Sequence, residues 1–432
     1  MSRFLKIVFA LLPVFSLSVY GQNKGTSVLA NGNWFKIAVT TDGIYRIDYS
    51  KLKQLGLANP SKPKLYGNNQ GQLSYYNNAK MPDDLNEMAI YISGKDSVLN
   101  EGEYMLFYGK TTHRWIYDET KRTYSFLRHN YSDTAFYFLT SGEQPGKRIV
   151  YADSTIKTNG ISSSSDAIYI HENENENLLK SGREWFQPVP LISGLTINPG
   201  FSDVITSEKM RYSIRVAARA AINTLFRMSE GSILIKNISV PAVNLYNYTG
   251  TYANITEYTD SVFPGSASPV YDLKYINNGT SSENAGWLDY ITFQGRKTNR
   301  YKGTFLQISD SRSTGPGRIT EFRIISDNTD AVIWDVSDIN NVRQILYKKA
   351  GETISYKDSS QTLRSYVIFS VSNALTPVIR NSSVPNQDLH GSAPADMIIV
   401  AHPIFLNQAR KLADLHEQND GIVSLIVTPE QI

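Results

Sequence analysis

The stretch "NWFKIAVTTDGIYRIDYSKLKQLGL", Asn33 to Leu57, sets the reading of this chain. Phe35, Ile37 and Val39 alternate with polar neighbours, the period of a strand with one buried face. "TTDG" turns the chain, with Gly43 supplying a permissive backbone. Tyr45 and Ile47 begin a second alternation. "SKLKQLG" reads as a single short helix, with Ser50 as its cap and Gly56 as its stop. Similar strands recur at "NEMAIYISG", "EYMLFYGK", "AFYFLTSG", "MRYSIRVAARA", "SILIKNIS", "GTFLQIS", "ITEFRIIS", "AVIWDVS" and "RSYVIFSVS". Tyrosine, 27 in all, fits half-buried sheet surfaces. Short strands between Gly, Asn, Ser and Pro turns predict a mainly β chain with sandwich packing from roughly residue 28 to 390. An outer-membrane barrel is the competing all-β form. It wants evenly repeated segments of about 9–11 residues, and these strands are uneven and broken by long polar loops.

The pattern changes at "ADMIIVAHPIFLNQARKLADLHEQNDGIVSLIVTPEQI", Ala395 to Ile432. Met397 to Ala401 is a continuous apolar run of the kind buried on both faces of a parallel sheet. His402-Pro403 breaks it, because proline has no amide donor. Phe405, Ala409, Leu412 and His416 follow at helical spacing, and Leu406, Ala413 and Leu415 widen the stripe into one buried face. Gly421 closes the helix and Ile422 to Val427 forms a second buried strand. This predicts a βαβ unit. A two-stranded parallel sheet cannot bury both faces alone. The expectation is therefore an N-terminal piece of something longer, or a final unit that docks on another domain.

At 432 residues the length suits about three domains. A hydrophobic content of 41% against 19% charged predicts a packed protein, not a disordered one. "MSRFLKIVFALLPVFSLSVYGQNK" has the shape of a secretory leader: Arg3 and Lys6, an apolar run from Ile7 to Tyr20, then Val19 and Gly21 at −3 and −1 of a cut before Gln22. The run is short for a span and contains Pro13. The net charge of +3 falls to about +1 once Arg3 and Lys6 leave with the leader, and with no basic stripe nucleic acid is not an expected partner. There is no cysteine, which removes disulfides, thiolate metal sites and a cysteine nucleophile from this chain. Two polar loops, Ser141 to Ala167 and Thr376 to Asp396, read as boundaries. The expected layout is a signal peptide at 1–21, β-rich domains at 22–150 and 151–385, and an α/β start at 395–432.

Few residues suggest chemistry. "HENENENLL" sets His171 beside Glu172, Glu174 and Glu176. Alternation by two puts the carboxylates on one side and His171 on the other, whereas a metal needs converging ligands. A solvated loop or strand edge is expected there. His402 follows a strand, where α/β enzymes place catalytic groups, but packing or capping is the favoured role. Asp335 and Asp338 in "IWDVSDIN" suit turn formation better than a cation. G-x-S-x-G, H-E-x-x-H, Walker and G-x-G-x-x-G motifs are missing, and no serine can be matched to a histidine and an acid. No catalytic, cofactor-binding or metal residue is assigned, no cofactor is expected, and the chain reads as non-catalytic by itself.

"NQDLHG" (Asn386 to Gly391), "ADMIIVAHPIFLNQARKLADLH" and "VTPEQI" resemble the entry into the peptidase domain of the PorU family. These are gingipain-type cysteine peptidases that act as sortases of the type IX secretion system in Bacteroidetes. "NWFKIAVTTDGIYRID", "DLNEMAIYISG", "GEYMLFYGK", "HENENENLLKSGREWF" and "VIWDVSD" resemble that family's N-terminal region, in the same order. "GREWFQPVP" departs from it, lacking the Gly and acidic residue that follow the aromatic pair in the family. The resemblance implies a β-rich region followed by the first βαβ unit of a caspase-like α/β domain. It implies a catalytic histidine and cysteine after later strands, beyond this chain, and His402 does not match that histidine. In the family a thiolate attacks the peptide carbonyl with histidine as base. The acyl group then passes to water or to an amine on a surface glycolipid. The implied partners are outer-membrane components of the secretion system and the C-terminal signals of cargo proteins, at the outer membrane or cell surface. The alternative is a stand-alone secreted β-sandwich module that binds protein or glycan at the cell surface.

Overall fold

A computed structural model describes residues 25–68, 71–76, 78–152, 157–277, 279, 281–326 and 330–432. The expected signal peptide, 1–21, lies outside the described residues. The chain is mainly β: 44% of the described residues are strand and 8% helix. No helix among the described residues is long and apolar enough to cross a membrane. The described residues divide into two compact units, one within 33–81 and 85–384, the other of residues 25–32 with 82–84 and 385–432.

The larger unit holds three sheet pairs. In the first, an antiparallel sheet runs in the order Val378–Val384, Trp34–Val39, Ala135–Ser141, Pro63–Tyr66, Glu87–Met88. It faces a three-stranded sheet of Gly43–Asp48, Tyr104–Gly109 and Tyr91–Ile92. Ile37, Tyr45, Phe107, Tyr137 and Leu139 fill the space between. "TTDG" therefore passes the chain from one sheet to its facing partner. Gly43 has no left-handed backbone; it begins the second strand opposite Gly109. The short helix spans Tyr49–Gln54, so Ser50 lies inside it and does not cap it. The strand runs straight into the helix, and the Tyr49 amide is satisfied by the Glu103 carbonyl at 3.0 Å. Gly56 does end it, with φ +77.

The second pair sets Ser164–Glu172, Ala285–Thr298, Met210–Arg219 and Asn254–Val262 against Leu195–Ile197, Tyr271–Ile276, Thr224–Glu230 and Ile233–Val240. Tyr212, Ile214, Phe226, Leu273 and Phe293 lie between the sheets, with Tyr271 stacked on Phe293 at 4.2 Å. Gly286 is required by close approach, since a Cβ there would meet the Tyr275 ring at 2.5 Å. The third pair has Val332–Asp335 and Tyr366–Phe369 in one sheet and Ile319–Ser326 and Thr353–Ser359 in the other, around Phe322, Ile333, Tyr356 and Ile368.

Two of these sheets are buried on both faces. Met105 and Phe107 point into the first core, while Leu106 and Tyr108 point the opposite way and meet Trp334, Val367 and Phe369. Ile333 and Ile368 point into the third core. This is why "YMLFYG" and "YVIF" read as unbroken apolar runs. The polar loops expected as boundaries contribute strands. Val150–Ala152 adds parallel to Arg343–Ile345, Gly160–Ser162 adds parallel to Ile319–Ser326, and Val378–Val384 pairs with Trp34–Val39.

In the smaller unit, Met397–Val400 and Ser424–Val427 pair in parallel, joined by a 3-10 turn at Pro403–Phe405 and a helix at Leu406–Asp420. Gly421 closes the helix with φ +68. The expected burial is only partly realised. Ala401, Ala409 and Val427 are buried, but Phe405, Leu412 and Leu415 are exposed, as are Ile398 at 65% and Val400 at 56%. The reason is geometric: two strands and one helix share a single inner face. Exposed apolar faces and strand edges favour self-association. Ile398→Lys with Val400→Lys is expected to reduce association of the full chain in light-scattering chromatography. An unchanged mass distribution would refute a role for this face.

Candidate functional site

The larger unit contains a cavity of about 390 Å³. That is the size of a small-molecule site. One wall is the hairpin of Arg114–Asp118 and Thr123–Leu127. Its aromatic residues lean on one another: Tyr117 lies 4.8 Å from Tyr124, and Trp115 packs on Phe126 at 5.1 Å. Phe201 adds a further ring to the lining. The other walls bring Asp166 and Lys297 from the second sheet pair, Gln307, Ser309 and Ser365 from the third, and Asp42, Tyr108 and Lys110 from the first.

The acids in this wall are already satisfied. Asp166 accepts from the Tyr124 hydroxyl at 2.6 Å, from the Ser311 amide at 2.8 Å and from the Ser311 hydroxyl at 3.0 Å, and it pairs with the buried Arg296. Asp42 accepts from the Thr111 amide at 2.7 Å and its hydroxyl at 2.8 Å. Arg364 is held by Asp335 at 3.0 Å. Lys297 differs. The neighbouring carboxylates of Asp166 and Asp203 are engaged elsewhere, Asp203 with Lys302 at 2.7 Å and Arg300 at 3.1 Å. Burial pulls the Lys297 ammonium below the ordinary lysine value, with Asp166 and Asp203 only partly opposing the shift.

The residues singled out by sequence are engaged in structural contacts. Glu172 and Glu174 both face Arg128, at 3.4 and 3.7 Å, and burial pushes both carboxyls upward against that cation. Glu176 accepts from the Trp287 indole at 2.9 Å. His171 meets the Gln187 amide oxygen at 2.7 Å. No group of three or more His, Cys, Asp or Glu among the described residues is arranged to hold a metal. Asp335 is buried, accepts from the Ser337 amide at 3.0 Å, and binds Arg343 and Arg364. Asp338 accepts from the Asn340 amide at 2.9 Å, a turn contact.

One constellation was not legible in the sequence. In the smaller unit the Ser27 hydroxyl lies 3.0 Å from His390 Nδ1, and His390 Nε2 lies 3.3 Å from Asp83. The set resembles a nucleophile, base and acid. However, Ser27 is buried at 6% exposure, and its hydroxyl also accepts from the His390 amide at 3.2 Å. The Ser27 amide donates to Asp388 at 2.6 Å, so the group ties two distant segments together.

No protein-family model and no curated protein sequence matches the chain. Among solved structures, the dimeric latent PorU from Porphyromonas gingivalis overlays with a TM-score of 0.76 at 22% identity, over 94% of this chain. The chain has the fold of PorU. It spans 38% of PorU's length. The delta-endotoxin Cry8Ea1 from Bacillus thuringiensis aligns over 61% of this chain and 52% of its own at 9% identity, and its TM-score of 0.23 carries no argument. Within the PorU-like fold, His402 caps the 3-10 turn after the first parallel strand. Its Nδ1 accepts from the Ile404 amide at 3.3 Å, and its ring lies against Phe405.

Proposed function

We propose that this chain is the N-terminal, β-rich part of a PorU-like sortase of type IX secretion. The family cleaves C-terminal sorting signals and anchors cargo proteins at the cell surface. The observation that carries the reading is the TM-score of 0.76 over 94% of the chain, together with the ordered motifs. In this reading the protein is exported and works at the outer membrane or cell surface. It meets outer-membrane components of the secretion system and the sorting signals of its cargo. The cysteine that attacks the peptide carbonyl is supplied by sequence outside these 432 residues, which contain none.

The purified chain is expected not to hydrolyse peptides or transfer acyl groups. Turnover that survives rigorous purification, and is lost in Ser27→Ala, would overturn the division of labour. The reading frame after Ile432 tests the assignment itself. A frame that continues through strand-like runs carrying a histidine and a cysteine supports it. A stop codon in intact genomic context refutes it in favour of a stand-alone binding module.

A further inference from the structure

We propose that the cavity between the hairpin Arg114–Leu127 and the second and third sheet pairs is a binding site for an acidic sugar, with Lys297 receiving its carboxylate. The argument rests on what each wall can still do. Asp166, Asp42 and Arg364 are held by internal partners, and the Asp166 carboxylate offsets only part of the cost of burying Lys297. Lys297 lines the same space, and no hydrogen bond or ion pair holds its ammonium among the described residues. Lys297 is half-buried, and a partly desolvated ammonium held by no acceptor gains when an anion arrives in the cavity.

The rest of the ligand is read from the other walls. Trp115, Tyr117 and Phe201 line the cavity with aromatic side chains, which suit the apolar C–H face of a sugar. Gln307, Ser309 and Ser365 bring amide and hydroxyl groups to the same space, which suit its hydroxyl edge. Ser365 already accepts from Gln307 at 3.0 Å, leaving its own proton to donate. A purely aromatic acid would leave these groups unpaired, and a neutral sugar would leave Lys297 unpaired. The volume of about 390 Å³ accommodates a single sugar ring with its carboxylate. This inference stands on the larger unit alone and does not depend on the sortase reading.

Titration of the full chain with D-glucuronate, D-glucose and benzoate, followed by ligand-observed NMR, tests it. Saturable binding of glucuronate, with glucose and benzoate at least tenfold weaker, is expected. Lys297→Met and Trp115→Ala should each weaken glucuronate at least tenfold, and Lys297→Arg should retain most of it. Glucose bound as well as glucuronate, unimpaired binding by Lys297→Met, or no binding by the native chain would overturn the proposal. Tighter binding of a peptide's terminal carboxylate than of glucuronate would also overturn it. Misfolding is separated by a second measurement. Lys297→Met removes a partly desolvated charge at similar volume, so its melting temperature should rise while binding falls. That rise should be fully present at neutral pH. It should shrink as pH climbs through the depressed folded value toward the ordinary 10.5, because the unfolded native chain then holds the extra proton. A melting temperature that falls in Lys297→Met would show that Lys297 is a structural residue.

Discussion

Asp335→Ala is expected to cost about 3 kcal/mol of stability, more than a surface ion pair could account for. The carboxylate is 3% exposed and joins two guanidinium groups, Arg343 and Arg364. Its second oxygen accepts from the Ser337 amide at 3.0 Å and hydroxyl at 2.6 Å. Removing it leaves two cations near one remaining acid, Asp358, which pairs with Arg343 at 2.8 Å and accepts from Tyr366 at 3.0 Å. Arg364 loses its carboxylate partner. The arginines keep some contact with solvent, which lowers the cost below that of a fully enclosed pair. Asp335→Asn should fall between native and alanine, because it keeps the turn contacts and gives up the charge. Urea midpoints with a double-mutant cycle against Arg364→Ala would measure the coupling. A cost for Asp335→Ala under about 1 kcal/mol would show that the cluster is a solvated pair and not a strut.

Trp334→Ala should cost about 4 kcal/mol, while Trp334→Phe should cost only about 1 kcal/mol. Trp334 is fully buried where the first and third sheet pairs share a core, and its ring meets Phe369 at 5.0 Å. Alanine would leave a cavity that sheets packed on both faces cannot close. Among the described residues the indole N–H has no partner, so phenylalanine gives up volume but no hydrogen bond. Equilibrium unfolding of both variants checks the order. Similar losses for the two would mean that the indole nitrogen is bonded after all and that the core is less tightly filled.

The residues 33–57 show which features a local pattern carries. Alternation placed Phe35, Ile37, Val39, Tyr45 and Ile47 in strands, and all five are buried. It placed a helix before Gly56, because a left-handed stop is a local backbone demand. It could not say that the two strands lie in facing sheets, since that depends on partners such as Tyr104–Gly109. The strands at Val150–Ala152 and Gly160–Ser162 lie in a stretch whose sequence reads as a polar loop. Their Val150, Tyr151 and Ile161 side chains are exposed, so little hydrophobic periodicity marks them, and pairing with Arg343–Ile345 and Ile319–Ser326 supplies their order.

By itself, the sequence determined the mainly β class, the closing βαβ unit and the resemblance to PorU, because strand alternation, helix spacing and motif order are properties of neighbours along the chain. Only the tertiary structure decided which apolar runs are buried on both faces, which helix stripe stays exposed, and which charges are paired. Lys297 and Trp115 share a cavity, and Ser27 and His390 share a hydrogen bond, only because distant strands and segments are brought together. Charge pairing and cavity lining are fixed by distance in space, and residue spacing along a chain of many short strands carries almost none of that information.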